Sequence, residues 1–253
     1  MKKLLITLLA ILPTLTVLPT MAASGHGPVL EHAKIDLTDK ASLQRGAQLY
    51  MNYCLGCHQL QYQRYERTFN DIGVPLDLGQ KYLMPEGSKV GELITNSMDA
   101  DDGAKWFGAT PPDLSLVTRL KGAGTKGQDW VYTYLKSFYI DPSRPFGVNN
   151  EVFPDVGMPH ALMELQGVPV KATERRLIDG EYKDVYVGLK AEGGEMNAAE
   201  YDTAARDLTT FLAYIGEPSR LDSEALGKKV LWFLLLLLVM IFALKKEFWR
   251  DIH

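Results

Sequence analysis

The chain has 253 residues, enough for one sizeable globular domain or two small ones. Hydrophobic residues make up 46% and charged residues 23%, which excludes a disordered chain, and no 20–50-residue repeat or low-complexity tract marks a solenoid. The net charge of −4 argues against a nucleic-acid-binding body.

The first segment reads as an export signal: Lys2 and Lys3, an apolar stretch from Leu4 to Leu18, then small residues at Ala22 and Ala23. Pro13 and Pro19 interrupt the stretch and disfavour a retained membrane helix. Residues 1–23 are therefore expected to be removed, leaving an exported body over 24–224. A helix is predicted from about Thr38, because Leu43, Ala47, Tyr50 and Met51 recur on one side.

That helix leads into Cys54-Leu55-Gly56-Cys57-His58, which holds both cysteines of the chain. An even pair in an exported protein normally signals a disulfide, but C-x-x-C-H is the attachment pattern of haem c. Two thiols three positions apart each reach one vinyl group of a single porphyrin, and the next residue, His58, then lies under the iron. A thioredoxin-type dithiol would want a preceding strand, and a zinc site would want a second Cys/His cluster. The sequence offers neither.

Tyr62 to Lys89 reads as loop-rich, with Pro75, Gly79, Pro85 and Gly87, and a short helix is predicted over Val90–Ser97. Asp99–Gly108 reads as an acidic, glycine-rich loop before Pro111-Pro112-Asp113-Leu114-Ser115. Gln128 to Tyr139 carries Trp130, Val131, Tyr134, Leu135 and Phe138 at helical spacing, a stripe that serves equally as core and as cofactor wall. Val168–Leu189 alternates and contains Asp179-Gly180, a tight-turn signal, so a small β hairpin is expected. Asn197-Ala198-Ala199-Glu200 resembles a capping box opening a helix that runs through Ile215 and stops at Gly216 and Pro218. A short linker, Ser219–Ala225, then reaches an apolar run, with a transmembrane helix expected over 225–245 and a cytoplasmic tail over 246–253. The flanking pairs Lys228, Lys229 and Lys245, Lys246 suit headgroups, and Trp232 and Trp249 suit the interfaces. The fold class expected is mainly α: a c-type cytochrome domain with inserted loops and a small β hairpin, plus one C-terminal transmembrane helix. Losing Lys2 and Lys3 takes the charge from −4 to −6, and setting aside the +3 from Lys228 onward leaves the exported body at −9. Such a surface favours basic partners.

A second iron ligand must come from elsewhere in the chain. Met158, in the stiff turn Gly157-Met158-Pro159, is the leading candidate, with His160 and Met84 as rivals.

The ordered set of Arg45-Gly46, Tyr50, Cys54–His58, Pro111–Ser115, Gly157-Met158-Pro159 and Phe211-Leu212 to Glu217-Pro218 before a basic-tailed anchor resembles the bacterial cytochrome c1 family over nearly the whole mature chain. The haem motif is shared by many cytochromes; the Pro-Pro-Asp-Leu-Ser segment with the tail anchor is far more specific. The resemblance implies one covalent haem c, with Met158 as the axial methionine, although His160 stands where the family often has a further proline. It implies that Pro111 and Pro112 line the haem edge and that Arg119 pairs with a propionate. It further implies a subunit of ubiquinol–cytochrome c oxidoreductase beside cytochrome b and the Rieske iron–sulfur protein. Such a subunit passes electrons from the Rieske protein to an acceptor cytochrome c and performs no bond chemistry of its own. Its globular part would face the periplasm from the inner membrane. Two other classes are weighed against it: a membrane-tethered cytochrome that acts as a lone carrier, and a haem-based gas sensor, which would need a labile sixth position and an output domain.

Overall fold

The computed structural model describes residues 29–178 and 181–250. The expected export signal lies outside the described residues, as do the predicted turn at Asp179-Gly180 and the last three residues of the tail. The structure is mostly helical, and its apolar core forms where two helices cross. The first, α1 (Lys40–Leu49), is capped by Asp39, whose side chain accepts from the Ser42 N–H. The second is the 19-residue Ala198–Gly216, here α8, which opens on the capping box expected at Asn197 and Glu200. From Ala204 to Gly216 all but Arg206 are buried, so this helix runs through the middle of the domain.

The crossing is close because Gly46 has no side chain: a Cβ there would stand 2.1 Å from the Asp207 carbonyl oxygen. Asp207, itself buried, accepts from Ser42 Oγ (2.6 Å) and from Arg45 Nε (2.6 Å), so its charge is paired where it leaves water. One turn further on, the Tyr50 and Phe211 rings meet at 5.8 Å.

The chain after the motif is more ordered than its prolines and glycines suggest. Strand β1 (Leu60–Arg64) leads into α2 (Tyr65–Ile72), which buries Tyr65, Thr68, Phe69 and Ile72 at helical spacing and ends on Gly73 at φ 78. Helix α3 (Leu76–Tyr82) follows directly on Pro75, and Gly79 lets it lie against the Phe69 ring. The helix expected over Val90–Ser97 does not form. Its carbonyls serve elsewhere: Glu92 and Val90 accept from the Tyr65 and Glu66 N–H groups at the start of α2, and β2 (Leu93–Ile94) pairs antiparallel with β1. Conversely, the loop expected over Asp99–Gly108 is a helix, α4 (Ala100–Phe107). The acidic run is its start signal, with Asp99 accepting from the N–H groups of Asp101 and Asp102, and Gly108 closes it at φ 79.

A single turn, α5 (Val117–Leu120), precedes α6 (Lys126–Lys136), the predicted aromatic-striped helix, which ends earlier than expected. Phe138–Ile140 is instead strand β3, paired with β4 (Val148–Asn150). After α7 (Met163–Gln166) comes the expected hairpin, longer than foreseen: β5 (Gly167–Ile178) pairs antiparallel with β6 (Glu181–Gly193) from Gly167↔Gly193 to Ile178↔Glu181, with a register shift between Ala172 and Thr173.

The last helix, α9 (Arg220–Phe248), is continuous, so the expected linker is its first turns. Its most apolar window has mean hydropathy 2.2, and none of that window is buried within the domain. At 29 residues it is roughly 44 Å long, more than a bilayer core requires. One apolar helix of this kind fits a single-pass anchor.

Candidate functional site

Before the motif the helical ladder widens. Tyr50–Cys54 is a π turn in which the Leu55 N–H reaches back to the Tyr50 carbonyl (3.0 Å). The chain then closes tightly, with the Cys57 and His58 N–H groups both bonded to the Cys54 carbonyl at 3.0 and 2.8 Å. This winding brings Cys54, Cys57 and His58 to the wall of one cavity of about 350 Å³. No disulfide joins the two cysteines. Burial, then the neighbouring Cys57, pushes the Cys54 thiol up to about 12, the reverse of the acidic thiol a redox-active pair requires. Among the described residues no cluster of three or more His, Cys, Asp or Glu side chains could hold a metal ion, which leaves the zinc reading without its further ligands.

His58 is held from both ends. Its carbonyl accepts from the Tyr50 hydroxyl (2.7 Å), and its Nδ1 lies 2.8 Å from the Pro112 carbonyl. A carbonyl only accepts, so Nδ1 carries the proton and the Nε2 lone pair remains for a metal. Burial lowers the His58 pKa against the opposing pull of the Pro112 bond, which keeps the ring neutral and ligand-ready. Pro112 is fixed in turn: Leu114 N–H bonds the Gln59 carbonyl (2.9 Å), and Asp113 accepts from the Gln61 and Ser115 N–H groups at 2.8 Å each. The Pro-Pro-Asp-Leu-Ser segment thus straps the chain that follows the motif.

Met158 lines the same cavity, and the Tyr134 hydroxyl donates to its sulfur at 3.3 Å. The preceding loop is tied down by Arg144, which reaches Asp155 Oδ1 (3.0 Å) and the Asp155 carbonyl (2.6 Å), while Asp155 N–H bonds Asn149 (2.9 Å). The two rivals sit elsewhere. His160 is buried with its Nε2 on Gln166 (2.6 Å) and its ring stacked on Phe138 at 4.7 Å. Met84 borders a separate surface hollow beside Pro85.

The cavity therefore brings together Cys54, Cys57, His58, Pro111, Pro112 and Met158. Arg119 is not part of its wall. Its guanidinium faces Glu217 at 2.7 Å, because the α5 turn carries it toward the end of α8. The cation on the wall is Lys121, which stands 4.2 Å from the Trp130 ring and 5.2 Å from Phe153. Trp130 and Tyr134 come from the stripe seen in the sequence. Leu208 and Leu212 of α8 and Phe107 of α4 complete the walls, and of these only Leu212 lies in a motif singled out in the sequence. A mostly apolar chamber with two cysteine sulfurs, one imidazole nitrogen with its lone pair open and one thioether on its wall fits haem c in donor chemistry.

The model of the Cytochrome C1 family matches residues 88–252. The chain belongs to the cytochrome c1 family. A cytochrome c1 from Allochromatium vinosum is 48% identical over 252 residues, covering 100% of this chain and 99% of the relative, so that match spans the stretch holding Cys54–His58, which lies ahead of residues 88–252. A Nitrosomonas europaea protein named ammonia monooxygenase gamma subunit is 41% identical, covering 91% of this chain and 92% of its own length. A cytochrome c1 from Rhodospirillum rubrum is 25% identical, over 85% and 83%. Membership of the cytochrome c1 family makes the chain an electron-transport haem protein, and its apolar C-terminal helix fits a membrane anchor.

Proposed function

We propose that this chain is the haem c subunit of a ubiquinol–cytochrome c oxidoreductase, receiving electrons from a Rieske iron–sulfur protein and delivering them to an acceptor cytochrome c. Cytochrome b and the Rieske protein are its proposed neighbours, the lipid bilayer holds α9, and nucleic acid is not a partner. The observation that carries the reading is the convergence of Cys54, Cys57, His58 and Met158 on one apolar cavity. When bound, haem c supplies a one-electron iron couple. The chain's own part is to fix and shield that group. Cys54 and Cys57 would hold it as two thioethers, and His58, its tautomer set by Pro112, and Met158 would supply nitrogen and sulfur to its iron. The apolar walls from α6 and α8 would exclude water and favour the reduced, less charged state.

In this proposal residues 1–23 direct export and are removed, residues 24–224 form the periplasmic domain, 225–245 cross the inner membrane and 246–253 stay in the cytoplasm. Arg119, paired with Glu217 as found, would need to leave that partner to reach a propionate, while Lys121 already stands at the cavity wall.

The relative named as an ammonia monooxygenase subunit favours a second reading, a haem subunit of a monooxygenase. Solubilising the membrane and purifying the full chain by a tag separates the two. Copurification of a b-type haem and an iron–sulfur protein is expected; recovery with a monooxygenase in their place would overturn the first reading. At the site, a Cys54→Ala, Cys57→Ala double variant should lose haem staining on a denaturing gel, and retained staining would refute covalent attachment. Met158→Leu keeps most of the volume and removes the sulfur. It should abolish the far-red sulfur-to-iron absorption and open the iron to carbon monoxide. A band that survives Met158→Leu and vanishes in Met84→Leu or His160→Ala would give the ligand role to a rival.

A further inference from the structure

The hydroxyl of Tyr134 has an unusual acceptor. It donates to Met158 Sδ at 3.3 Å, and among the described residues no other hydrogen-bond acceptor is recorded for it. Thioether sulfur is a weak acceptor, and a buried phenol ordinarily finds an oxygen. The ring is not free to look for one. Trp130 stacks on it at 5.0 Å and 11°, and Phe138 meets it edge-on at 5.2 Å. Its main-chain carbonyl accepts from Asn150 Nδ2 (2.8 Å), and Asn150 is wholly buried, its own Oδ1 taken up by Ser137 Oγ (3.1 Å) and the Val152 N–H (2.9 Å). The stripe on α6 and the β3–β4 pair therefore lock the hydroxyl against the sulfur. Both residues line the cavity.

We propose that Tyr134 is a positioning residue for the Met158 thioether: its hydroxyl holds the sulfur at the cavity wall and, by drawing on one sulfur lone pair, shifts the bound iron toward its reduced state. The inference rests on the reading of Met158 as an iron ligand. A thioether has two lone pairs. The hydrogen bond engages one and leaves the other for a metal. A sulfur that already gives density to an O–H is a poorer donor to iron, and ferric iron loses more by that than ferrous iron does.

The test uses the full-length, haem-loaded membrane protein and the variant Tyr134→Phe, which keeps the ring and its stacking and removes one oxygen. At a fixed solution potential its ratio of reduced to oxidised protein should fall roughly two- to tenfold, the range spanned by one hydrogen bond's net free energy. In a Met158→Leu background the same substitution should have no effect, because the acceptor is gone. An unchanged ratio in Tyr134→Phe, or an equal fall in both backgrounds, would overturn the inference, the second by showing that the substitution acts through packing. Met158→Leu alone tests the underlying reading: if it leaves the sulfur-to-iron absorption intact, Met158 is not the ligand and the inference falls with it. If Tyr134→Phe does not accumulate, resonance Raman spectra of the unaltered protein in H2O and D2O decide the matter. A shift in the iron–sulfur stretch on exchanging the hydroxyl proton is expected, and its absence refutes the hydrogen bond.

Discussion

Replacing Gly46 by alanine tests the contact on which the cavity is built. In an isolated helix the change would stabilise by about 1 kcal/mol, since glycine is the poorest ordinary helix former. Here the added Cβ would stand 2.1 Å from the Asp207 carbonyl oxygen and 2.7 Å from Phe211 Cβ. Real Cβ contacts stay beyond 3.0 Å, so α1 and α8 must separate by about 0.9 Å, the gap between those two distances. The close atom is backbone inside a buried helix and cannot swing aside. Overpacking by one methyl costs about 1–3 kcal/mol, and a backbone collision lies at the upper end. The net expectation is a loss of about 2 kcal/mol, or roughly 4–8 °C in Tm for a domain of this size. Gly56, between the two cysteines, is the control: a Cβ there meets nothing within 4 Å. Thermal unfolding of the two variants, followed in the near-ultraviolet, should separate them clearly. Gly46→Ala should also lower the yield of covalent haem, because α1 runs directly into the π turn that presents Cys54. A Gly46→Ala protein as stable as the parent would refute the close-crossing argument.

A chain cut after Ser223 should fold, take up haem and appear soluble, since the apolar part of α9 is exposed from Leu226 onward; failure to fold would make α9 part of the core. Electron transfer to a basic cytochrome should slow as salt rises, and less so in an Asp101→Asn, Asp102→Asn variant, because these residues open α4, whose Phe107 borders the cavity. Asp99 is left in place there because it caps the helix; a rate indifferent to ionic strength would refute the steering argument.

The parts of this molecule that sequence reveals are those whose signal is local. Cys54, Cys57 and His58 announce themselves by spacing, Asn197 and Glu200 by the capping box, and α9 by its unbroken apolar run. The expected helix at Val90–Ser97 failed because a long-range demand decided that segment: its carbonyls cap α2, which no window of eight residues can display. The acidic run after Met98 was read by composition as a solvated loop. Its order carried the information, an aspartate at the cap and two more in the first turn, with glycine six residues after the second of them. The hairpin was visible in its alternation, but its full length was not, because the outer strand residues are exposed on both faces and leave no burial pattern. Lys121 was passed over for Arg119 because the two lie on the same short turn, and only the fold decides which of them faces the cavity.

The two proposed iron ligands are 100 positions apart and are held by frameworks that barely overlap. His58 depends on the winding out of α1 and on the strap through Pro112. Met158 depends on the Arg144–Asp155 tie, the β3–β4 pair and Tyr134. Helices α6 and α8 join the two halves, and they do so with apolar side chains, Val131 and Leu135 from one and Leu208 and Leu212 from the other. Such a chamber has few polar groups of its own to reorient when a charge arrives or leaves. The polar bonds that do reach the ligands, Pro112 to His58 and Tyr134 to Met158, are anchored in backbone or in a fully buried asparagine. A site that gains and loses single electrons works fastest when its surroundings stay put in both states, and in this fold rigidity comes from the shells behind the ligands.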